Sequence, residues 1–540
     1  MRGLMMDTPL LVSSLIKHAA AQHAQSEIVS RTVEGPIHRY GYAQAHRRAQ
    51  QLANALTALG IVKGDRIATI AWNGYRHYEI YFATSGMAAI CHTINPRLHP
   101  DQIVYLLNHA ADRYLFIDLT FVPLVELVAG RAAKLEGIVV MCDRAHMPDS
   151  KLDNLICYEE LMDGAQDSYE WPIFDENTAS SLCYTSGTTG NPKGVLYSHR
   201  ATVLHSFAAA LPAGLCLSES EAILPVVPMF HVNAWGIPYA ATMTGAKQVM
   251  PGPGLDGASL HEILDAENVT FAAGVPTIWL GLLNHMREHG KRLDRLKYVV
   301  IGGSAVPASM IEAFENEFDI EVRQGWGMTE MSPIGSINTL KPWMQDLPPS
   351  QRMAIQIKQG RPPFGVEMMI ESESGEALPH DGKAQGELLV RGPWVCSGYF
   401  GIDDAGVHRD GWFATNDVAT IDEQGYMQIV DRTKDMIKSG GEWISSIDLE
   451  NFAMSHPDVQ QAAVIGVPHP KWDERPLLLV VPVPGKTPDK ADIFNFLSDK
   501  VAKWWLPDDM VIVESFPIGG TGKVLKKELR EEYKDYALPQ

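Results

Sequence analysis

The sequence predicts an α/β protein with more than one domain, and three features indicate this. The chain has 540 residues, which exceeds what one hydrophobic core usually supports. Strand-like apolar runs alternate with helix-like segments from residue 40 onward, a pattern typical of a largely parallel sheet that is covered on both faces. Beyond residue 365 short strands predominate, and after residue 431 the pattern changes again to a compact α+β segment.

The first half of the chain carries the alternation of helix and strand. Residues 40–60 have apolar side chains at helical spacing and end on a glycine, which suits the position after a last helical turn. Residues 65–72 then predict a strand and residues 78–90 a helix. A turn at Asn95 and Pro96 leads into another helix.

The second half predicts two smaller units. Residues 365–372, 386–392 and 426–431 have the pattern of short strands separated by Gly, Asp and Glu turns, so we expect a small β-barrel-like unit there. The α+β segment that follows should contain apolar strands, and its last predicted helix spans residues 493–505.

Composition argues against several classes of partner. The net charge of −20 disfavours nucleic acid and anionic membrane surfaces, so an anionic substrate must be held by local positive sites. The six cysteines lack the spacing of a zinc site or a disulfide framework, which fits reduced thiols in a cytoplasm. We interpret the N-terminal apolar stretch as an amphipathic helix, and we expect no integral membrane segment.

The stretch YTSGTTGNPKG, residues 184–194, is the densest chemical signal in the chain. Its hydroxyls and its lysine can bind phosphate oxygens, and its glycines allow backbone N–H groups to converge on the same oxygens. It is not a Walker A loop, because the hydroxyls precede the lysine. The apolar runs on either side predict a hairpin-like turn between buried strands, rather than a flexible linker. The candidate phosphate-binding residues are Thr185, Ser186, Gly187, Thr188, Thr189, Gly190 and Lys193.

This loop and the motifs described below resemble those of the adenylate-forming superfamily, which includes acyl-CoA synthetases, luciferases and the adenylation domains of peptide synthetases. The resemblance extends from about residue 30 to about residue 530. It implies a large N-terminal domain, residues 1–431, with two doubly wound sheet subdomains before the loop and around residues 200–335, plus the small β-barrel-like subdomain. A small mobile α+β C-terminal domain, residues 432–540, would follow a hinge near Lys434.

The resemblance also implies ligands: ATP with Mg²⁺, and CoA as co-substrate. Thr185 and Glu330 would be the magnesium-binding residues, and Thr185 would also take part in catalysis. The catalytic lysine of the family matches Lys523, on a glycine-flanked turn, where its compact charge can neutralise charge that develops on phosphate.

The motif PMFHVNAWG, residues 228–236, is the first candidate for the acid site. His231 and Trp235 are four positions apart and would share one face if the segment were helical. By resemblance, His231 lies beside the acyl carboxylate and Trp235 forms part of the acyl pocket wall. In the strand–turn–helix motif VVIGGSAVP, Gly302, Gly303 and Ser304 would line the acyl and adenine side.

The motif QGWGMTE, residues 324–330, is more specific. It offers an aromatic face for adenine and oxygen ligands for phosphate and Mg²⁺. Trp326 stands where the family has its adenine-stacking aromatic residue, and Gly327 stands where acetyl-specific relatives have a Trp, which suggests a longer acid. The nucleotide-binding residues in this motif are Gly325, Trp326, Gly327, Met328 and Thr329.

Two further motifs resemble family sites. In GWFATND, Asp417 matches the aspartate that accepts both ribose hydroxyls, although the family more often has TGD. Arg432 matches the arginine that contacts ribose and α-phosphate, and Lys434 the hinge position. The loop Ser439, Gly440, Gly441 and Glu442 would admit the thiol in a second half-reaction.

We therefore expect an AMP-forming acid:CoA ligase that acts on a short- to medium-chain carboxylic acid, in the cytoplasm and as a homodimer. One alternative is an amino-acid or aryl-acid adenylating enzyme of the peptide-synthetase type. An amino-acid site would carry an Asp near His231, and the sequence has none there. A non-catalytic nucleotide-binding relative is the other alternative, but it would be expected to have lost Lys523 or Glu330, and both are present.

Overall fold

The structure is a computed structural model that describes residues 1, 3–153, 155–185, 191–403, 406–439, 442–519 and 523–539, with only the backbone of Glu442. Within these residues it contains four β-sheets and helices packed against them. The predicted α/β class is confirmed. No helix in the described residues is long and apolar enough to cross a membrane.

The first sheet has seven strands, and every neighbouring pair is parallel except the last. In spatial order its strands are Leu155–Cys157, Gly137–Val140, Tyr114–Ile117, Arg66–Ile70, Ile90–Thr93, Ala179–Tyr184 and Gly194–Ser198. The antiparallel last pair flanks the stretch 184–194, so this stretch joins two packed strands, as the apolar runs predict.

The second sheet has eight strands, with a parallel centre and an antiparallel pair at each edge. In spatial order its strands are Ile334–Ile337, Glu321–Gly327, Tyr298–Gly302, Phe271–Gly274, Ala222–Pro225, Lys247–Met250, Glu27–Arg31 and Ile37–Gly41. We expected one sheet to be formed by residues before the loop and the other by residues around 200–335, and this is wrong for residues 27–41. They precede the loop but belong to this sheet, because Ile28 pairs with Gln248 in a parallel ladder.

Helices cover both faces of the two sheets. One apolar core joins both sheets with the helices Val12–Gln22, Tyr42–Ala58, Tyr75–Gly86, Tyr158–Met162, His199–Ala210 and Ile237–Thr244. The opposite face of the first sheet packs on Pro100–Ala110 and Val122–Val128. The opposite face of the second sheet packs on Gly257–Ala266, Pro276–His289, Ala308–Glu312 and Pro349–Gln356.

The third and fourth sheets are smaller. The third is antiparallel and contains Glu367–Glu371, Gly386–Arg391, Trp412–Ile421, His408–Arg409 and Met427–Arg432. The fourth contains Glu442–Ile444, Ile437–Ser439, Asp473–Pro482, Val459–His469 and Asp509–Ile512, with the helices Ser446–Ala453, Lys490–Ser498 and Lys526–Glu532. Short 3₁₀ turns occur at Leu119–Phe121, Ala129–Arg131, Arg144–His146, Thr329–Met331, Pro342–Met344 and Lys503–Trp505, and a π turn at Ala313–Glu317.

The helix predicted over residues 493–505 ends at Ser498. Three successive polar residues, 498–500, interrupt the apolar spacing at this point. The chain then continues into the 3₁₀ turn Lys503–Trp505, so the two tryptophans there do not extend the helix.

A buried ion-pair cluster holds three of the helices that lie between the first two sheets. The Glu79 carboxylate is fully buried and accepts from Arg48 Nε at 2.6 Å and from the Tyr158 hydroxyl at 2.6 Å. Arg48 also donates to Glu159 at 3.1 Å, and Arg76 donates to Glu159 at 2.9 Å. Burial raises the pKa of Glu79, and the charge of Arg48 offsets part of that effect.

Replacing Arg48 by methionine should destabilise the protein strongly. The variant leaves the Glu79 carboxylate buried without its cation, and loss of one partner of a buried pair costs about 3–5 kcal/mol. Urea unfolding followed by far-UV circular dichroism measures the change. Arg144→Met is the matched control, since Arg144 and Glu160 pair at the surface and such a change costs about 0.5 kcal/mol or less. Equal losses in the two variants would contradict the importance given to the cluster.

Candidate functional site

A cavity of about 680 Å³ lies at the carboxyl ends of the parallel strands of the eight-stranded sheet. Its lining residues Val226, Val275 and Gly303 each follow directly after a strand of that sheet. In open α/β sheets this edge is where ligands bind, because the loops after the strands diverge there. The last strand pair of the seven-stranded sheet, the third sheet and the C-terminal unit contribute the other walls.

Most of the predicted site residues meet at this cavity. The lining includes Thr185, Lys193, His231, Trp235, Gly303, Gly325, Trp326, Gly327, Met328, Thr329, Glu330, Arg432, Lys434 and Lys523. Four predicted residues are not among those that line it, namely Gly302, Ser304, Asp417 and Ser439. Residues 186–190, Gly440, Gly441 and the side chain of Glu442 lie outside the described residues.

The two ends of the predicted phosphate loop are held together. The backbone N–H of Thr185 donates to the carbonyl of Lys193 at 2.9 Å, which extends the strand pairing by one step. Lys193 Nζ lies over the ring of Tyr399, 4.9 Å from its centroid. The two ends of the loop therefore lie next to each other. The Lys193 amine at one end lines the cavity and packs on the Tyr399 ring.

Glu330 is buried next to this cation–aromatic pair. Its Oε1 accepts a hydrogen bond from the Tyr399 hydroxyl at 2.7 Å. Burial raises the pKa of the Glu330 carboxyl, and the nearby Asp417 charge acts in the same direction. A bound cation would favour the ionised form of this carboxyl, because opposite charge lowers a carboxyl pKa.

Asp417 is buried next to the cavity-lining residues Trp326 and Arg432 and connects three parts of the chain. Its Oδ2 accepts from Trp326 Nε1 at 3.0 Å, and its Oδ1 is 3.3 Å from Arg432 Nε. Burial raises the pKa of Asp417, whereas Arg432, Trp326 and Lys523 lower it. The hydrogen bond of its Nε1 thus orients the indole of Trp326, which lines the cavity.

Lys523 enters the same cavity from the C-terminal unit. A Cβ atom placed on Gly303 would lie 3.8 Å from Lys523 Cε, so the lysine stem passes over this glycine. Enclosure within the cleft lowers the pKa of Lys523 to about 8, and the charge of Arg432 acts in the same direction. His231 is half-buried, and desolvation lowers its pKa to about 4, with the charge of Lys523 acting in the same direction, so its ring is neutral near pH 7.

The segment between His231 and Trp235 is not a right-handed helix, so the condition under which these two residues would share one helical face is not met. Val232, Asn233, Ala234 and Trp235 all have positive φ, between 48° and 57°. Left-handed backbone costs roughly 1–2 kcal/mol per residue for L-amino acids. The segment is a left-handed turn that directs Trp235 into the cavity.

Side-chain bonds hold this left-handed turn in place. Asn233 Nδ2 donates to Ser181 Oγ at 3.0 Å and to the Tyr239 hydroxyl at 3.3 Å. Its Oδ1 accepts from the Cys183 thiol at 3.1 Å. Ser181 and Cys183 lie on the strand that leads into the phosphate loop, so the turn and the loop share one support.

Trp235 lies across the ends of two strands. A Cβ atom on Gly302 would be 2.9 Å from the Trp235 ring and 2.7 Å from the Gly325 carbonyl. Gly302 and Gly325 are cross-strand partners in the parallel ladder. Glycine is needed at Gly302 because any side chain would displace the indole, so this residue acts behind the pocket wall.

Gly327 has a packing role that the sequence does not indicate. A Cβ atom at this position would be 2.1 Å from the Pro333 carbonyl oxygen, on the chain segment that leads to the edge strand. A side chain at position 327 would therefore require the Pro333 backbone to move. Gly327 itself lines the cavity.

Ser439 lies outside this cavity, in the C-terminal unit. Its hydroxyl accepts from Arg475 at 3.1 Å, and Arg475 also pairs with Asp508 at 2.6 Å. The same unit thus directs Lys523 at the cavity and holds Ser439 away from it.

The sequence motifs did not identify several residues that shape the site. Tyr399 orients Glu330, and the Tyr197 hydroxyl donates to the Thr329 carbonyl at 2.6 Å. Arg97 lines the cavity after the turn at Asn95 and Pro96. None of these residues belongs to a recognised motif, and only Tyr197, soon after the loop, carries a signal in its proximity to one.

The fold and the cleft together define an adenylate-forming enzyme. The chain belongs to the AMP-binding enzyme family, whose model matches residues 16–400, and the model of the family's C-terminal domain matches residues 448–523. The predicted superfamily is thereby confirmed.

Curated relatives match the whole chain. A 3-methylmercaptopropionyl-CoA ligase of Ruegeria lacuscaerulensis is 52% identical over 535 residues, 99% of each chain. A medium-chain-fatty-acid–CoA ligase of Ectopseudomonas oleovorans is 50% identical over 538 residues, 100% of this chain and 98% of the relative. Among solved structures, an anthranilate CoA ligase in complex with anthranoyl-AMP has the same fold, with a TM-score of 0.87 at 24% identity and 98% of each chain covered.

The electrostatics of the cavity predict an unusual titration of Lys523. Its amine should titrate near pH 8, compared with about 10.4 for an ordinary lysine. Arg432→Gln should raise this pKa by removing a like charge, and Asp417→Asn should lower it by removing an opposite one. Competitive acetylation as a function of pH, read by mass spectrometry, measures the value, with exposed Lys527 as the internal reference. An identical titration of Lys523 in the wild type and both variants would contradict this description of the cavity.

Proposed function

We propose that this enzyme activates a short- to medium-chain carboxylic acid, with 3-methylmercaptopropionate as the candidate substrate, and transfers the acyl group to CoA. The enzyme is an ATP-dependent, AMP-forming acid:CoA ligase, the reaction class of the curated relatives that match the whole chain. The observation that carries the mechanism is the position of Lys523, which brings one cation from the C-terminal unit into the cavity beside Gly303.

The first half-reaction forms an acyl-adenylate. A carboxylate oxygen of the acid attacks the α-phosphorus of ATP, and the bond to the β-phosphate breaks, which releases pyrophosphate. Negative charge builds on the α-phosphate oxygens as this occurs. The protonated amine of Lys523 would stabilise that charge, because it lies at the cavity before the reaction begins.

The nucleotide would lie between the phosphate loop and Asp417. Two ribose hydroxyls can share the two oxygens of the Asp417 carboxylate, and Arg432 lies beside it to contact the α-phosphate. The face of Trp326 would stack on adenine. Thr185, Lys193 and the loop residues 186–190 would bind the β- and γ-phosphates.

Mg²⁺ is part of this proposal, with Glu330 and Thr185 as its protein ligands. Among the described residues no group of three or more acidic, His or Cys side chains could hold a metal. A single buried carboxylate suits Mg²⁺, which usually keeps several waters and binds the substrate phosphates. The ion would neutralise phosphate charge, while Tyr399 orients Glu330.

The acid would bind in the apolar part of the cavity. Trp235 and Phe230 line this part together with aliphatic side chains. Neutral His231, which also lines the cavity, would lie beside the carboxylate and the α-phosphate. A neutral ring can donate a hydrogen bond without competing with Lys523 for the negative charge. This part of the cavity is apolar enough for a thioether or an alkyl chain.

The second half-reaction would require the C-terminal unit to turn. The CoA thiol attacks the acyl carbon, loses its proton, and the bond to AMP breaks. Residues 439–442 would admit the thiol, yet Ser439 lies outside the cavity. We therefore propose that residues 432–540 reorient against residues 1–431 about Lys434, which exchanges Lys523 for this loop. The proposal includes a cytoplasmic location and a homodimeric assembly.

Substrate preference tests the acid site. Acids from propionate to octanoate, including 3-methylmercaptopropionate, should be used better than acetate or palmitate. One extra methylene in a closed apolar pocket changes discrimination by roughly 1–3 kcal/mol, so a clear optimum is expected. The measurement is kcat/KM for CoA-dependent AMP release over a series of acids, with anthranilate and an amino acid included to test the aryl-acid and amino-acid alternatives. Equal values for acetate and palmitate would contradict the proposed pocket.

Lys523→Ala tests the separation of the two half-reactions. Adenylate formation should fall by a factor on the order of 10²–10³, because one preorganised charge is lost. Thioester formation from supplied acyl-adenylate should persist. Pyrophosphate exchange measures the first step, and CoA thioester release measures the second. Lys527→Ala is the control, since Lys527 is exposed and outside the cavity lining. Wild-type exchange rates in Lys523→Ala would remove the main catalytic assignment.

A further inference from the structure

The cavity wall formed by residues 226–231, which we call the wall segment, has little secondary structure of its own. Five of its six residues line the cavity, namely Val226, Val227, Pro228, Phe230 and His231. The segment follows the strand Ala222–Pro225 and contains no strand or helix. Because its backbone groups lack a regular ladder, they must find other partners when they are buried.

The N–H groups of Val226 and Val227 donate to the Ala273 carbonyl. Asn73 supplies partners for two other groups of the segment and for Pro225 before it. Its Nδ2 donates to the carbonyls of Pro225 at 2.7 Å and Val227 at 2.9 Å, and its Oδ1 accepts from the N–H of Met229 at 2.6 Å. These three partners admit only one orientation of the amide. Asn73 is 4% exposed, so each bond is shielded from water.

Asn73 belongs to the other sheet. It lies between the strand Arg66–Ile70 and the helix Tyr75–Gly86 of the seven-stranded sheet, whereas the wall segment follows a strand of the eight-stranded sheet. Its backbone carbonyl also accepts from Gly252 N–H at 3.1 Å. The neighbouring Trp72 places its ring 6.2 Å from that of Phe230, at the T-shaped angle.

A second side chain also bonds to the backbone of Met229. The hydroxyl of Tyr81, on the helix Tyr75–Gly86, donates to the Met229 carbonyl. Both polar groups of the Met229 backbone are therefore bonded to side chains of the first sheet's unit. Tyr81 is fully buried and does not line the cavity.

We propose that Asn73, supported by Tyr81, is the positioning residue that sets the acid selectivity of the enzyme by fixing the wall segment at its distance from Trp235. The proposal rests on the proposed function, because it assigns the wall segment to the acid. Neither Asn73 nor Tyr81 lines the cavity, so both act through the wall segment. A shift of the wall by a fraction of an ångström changes which acyl length fills the pocket.

Asn73→Asp is the sharpest test, because the shapes are nearly identical. The aspartate keeps an acceptor for Met229 N–H but sets its second oxygen against the carbonyls of Pro225 and Val227. Asn54→Asp is the matched control: Asn54 also donates to two backbone carbonyls, those of Gln166 at 2.8 Å and Ser168 at 2.9 Å, away from the cavity. Tyr81→Phe is the second variant, since it removes only the hydroxyl.

Steady-state kinetics over a series of acids should show a specific effect. In Asn73→Asp the KM for the best acid should rise by on the order of tenfold, and the preference for it over acids two carbons longer or shorter should flatten. Tyr81→Phe should flatten the preference in the same way. The KM for ATP should change less than twofold in both variants. Asn54→Asp should match the wild type in every parameter.

Hydrogen exchange of the peptide that covers the wall segment tests the positioning without activity. Exchange should be faster in Asn73→Asp and in Tyr81→Phe than in the wild type, and unchanged in Asn54→Asp. An unchanged acid preference in both variants would overturn the proposal, as would a proportional rise in the KM for ATP. If Asn73→Asp does not fold, Tyr81→Phe decides alone. A wild-type enzyme that activates none of the acids would refute the proposed function instead. In that case, exchange of the wall segment that is no faster in the two variants than in the wild type would refute the positioning role of Asn73 and Tyr81.

Discussion

The cleft depends on the pairing of the buried Asp417 carboxylate with its donors and cations. A carboxylate taken out of water is costly unless donors and cations surround it. Here Trp326 comes from the eight-stranded sheet, Arg432 from the last strand of the third sheet and Lys523 from the C-terminal unit. Because Asp417 and Arg432 are cross-strand partners, the sheet register itself creates the pair. The three parts of the chain therefore meet at Asp417, where each contributes a group that stabilises the buried negative charge.

Backbone strain in the turn beside the cavity is the second constraint. Four consecutive non-glycine residues, 232–235, adopt left-handed backbone, which the sequence disfavours. The bonds of Asn233 to Ser181 and Cys183 offset that cost, and asparagine is among the residues that tolerate this conformation best. Since the same strand continues into the predicted phosphate loop, that loop and the turn beside the cavity are supported by one strand. This explains how a strained turn can keep a defined position beside the cavity.

The sequence predicted the fold class and the meeting of the main motifs, but not the details that depend on distant contacts. The alternation of strand and helix is a local signal, and it was sufficient to predict the α/β class. The apolar flanks of residues 184–194 are also local, and they predicted the two packed strands that this stretch joins. The placement of residues 27–41 in the eight-stranded sheet could not be predicted locally, because it depends on pairing with residues 247–250. Helical spacing at His231 and Trp235 was misleading, since side-chain bonds override the local preference. Tyr399 and Asn73 carry no motif, and their importance is visible only in their partners.

The delivery of Lys523 by a separate unit has a kinetic consequence. A charge tethered to the cleft acts at an effective concentration set by the linker, not by the concentration of the protein. Lys523 belongs to the C-terminal unit, so its position at the cavity depends on the folding of that unit as well as on the cleft. Substitutions near the junction can therefore change turnover by changing how often the lysine is present, even where no residue of the cavity is altered.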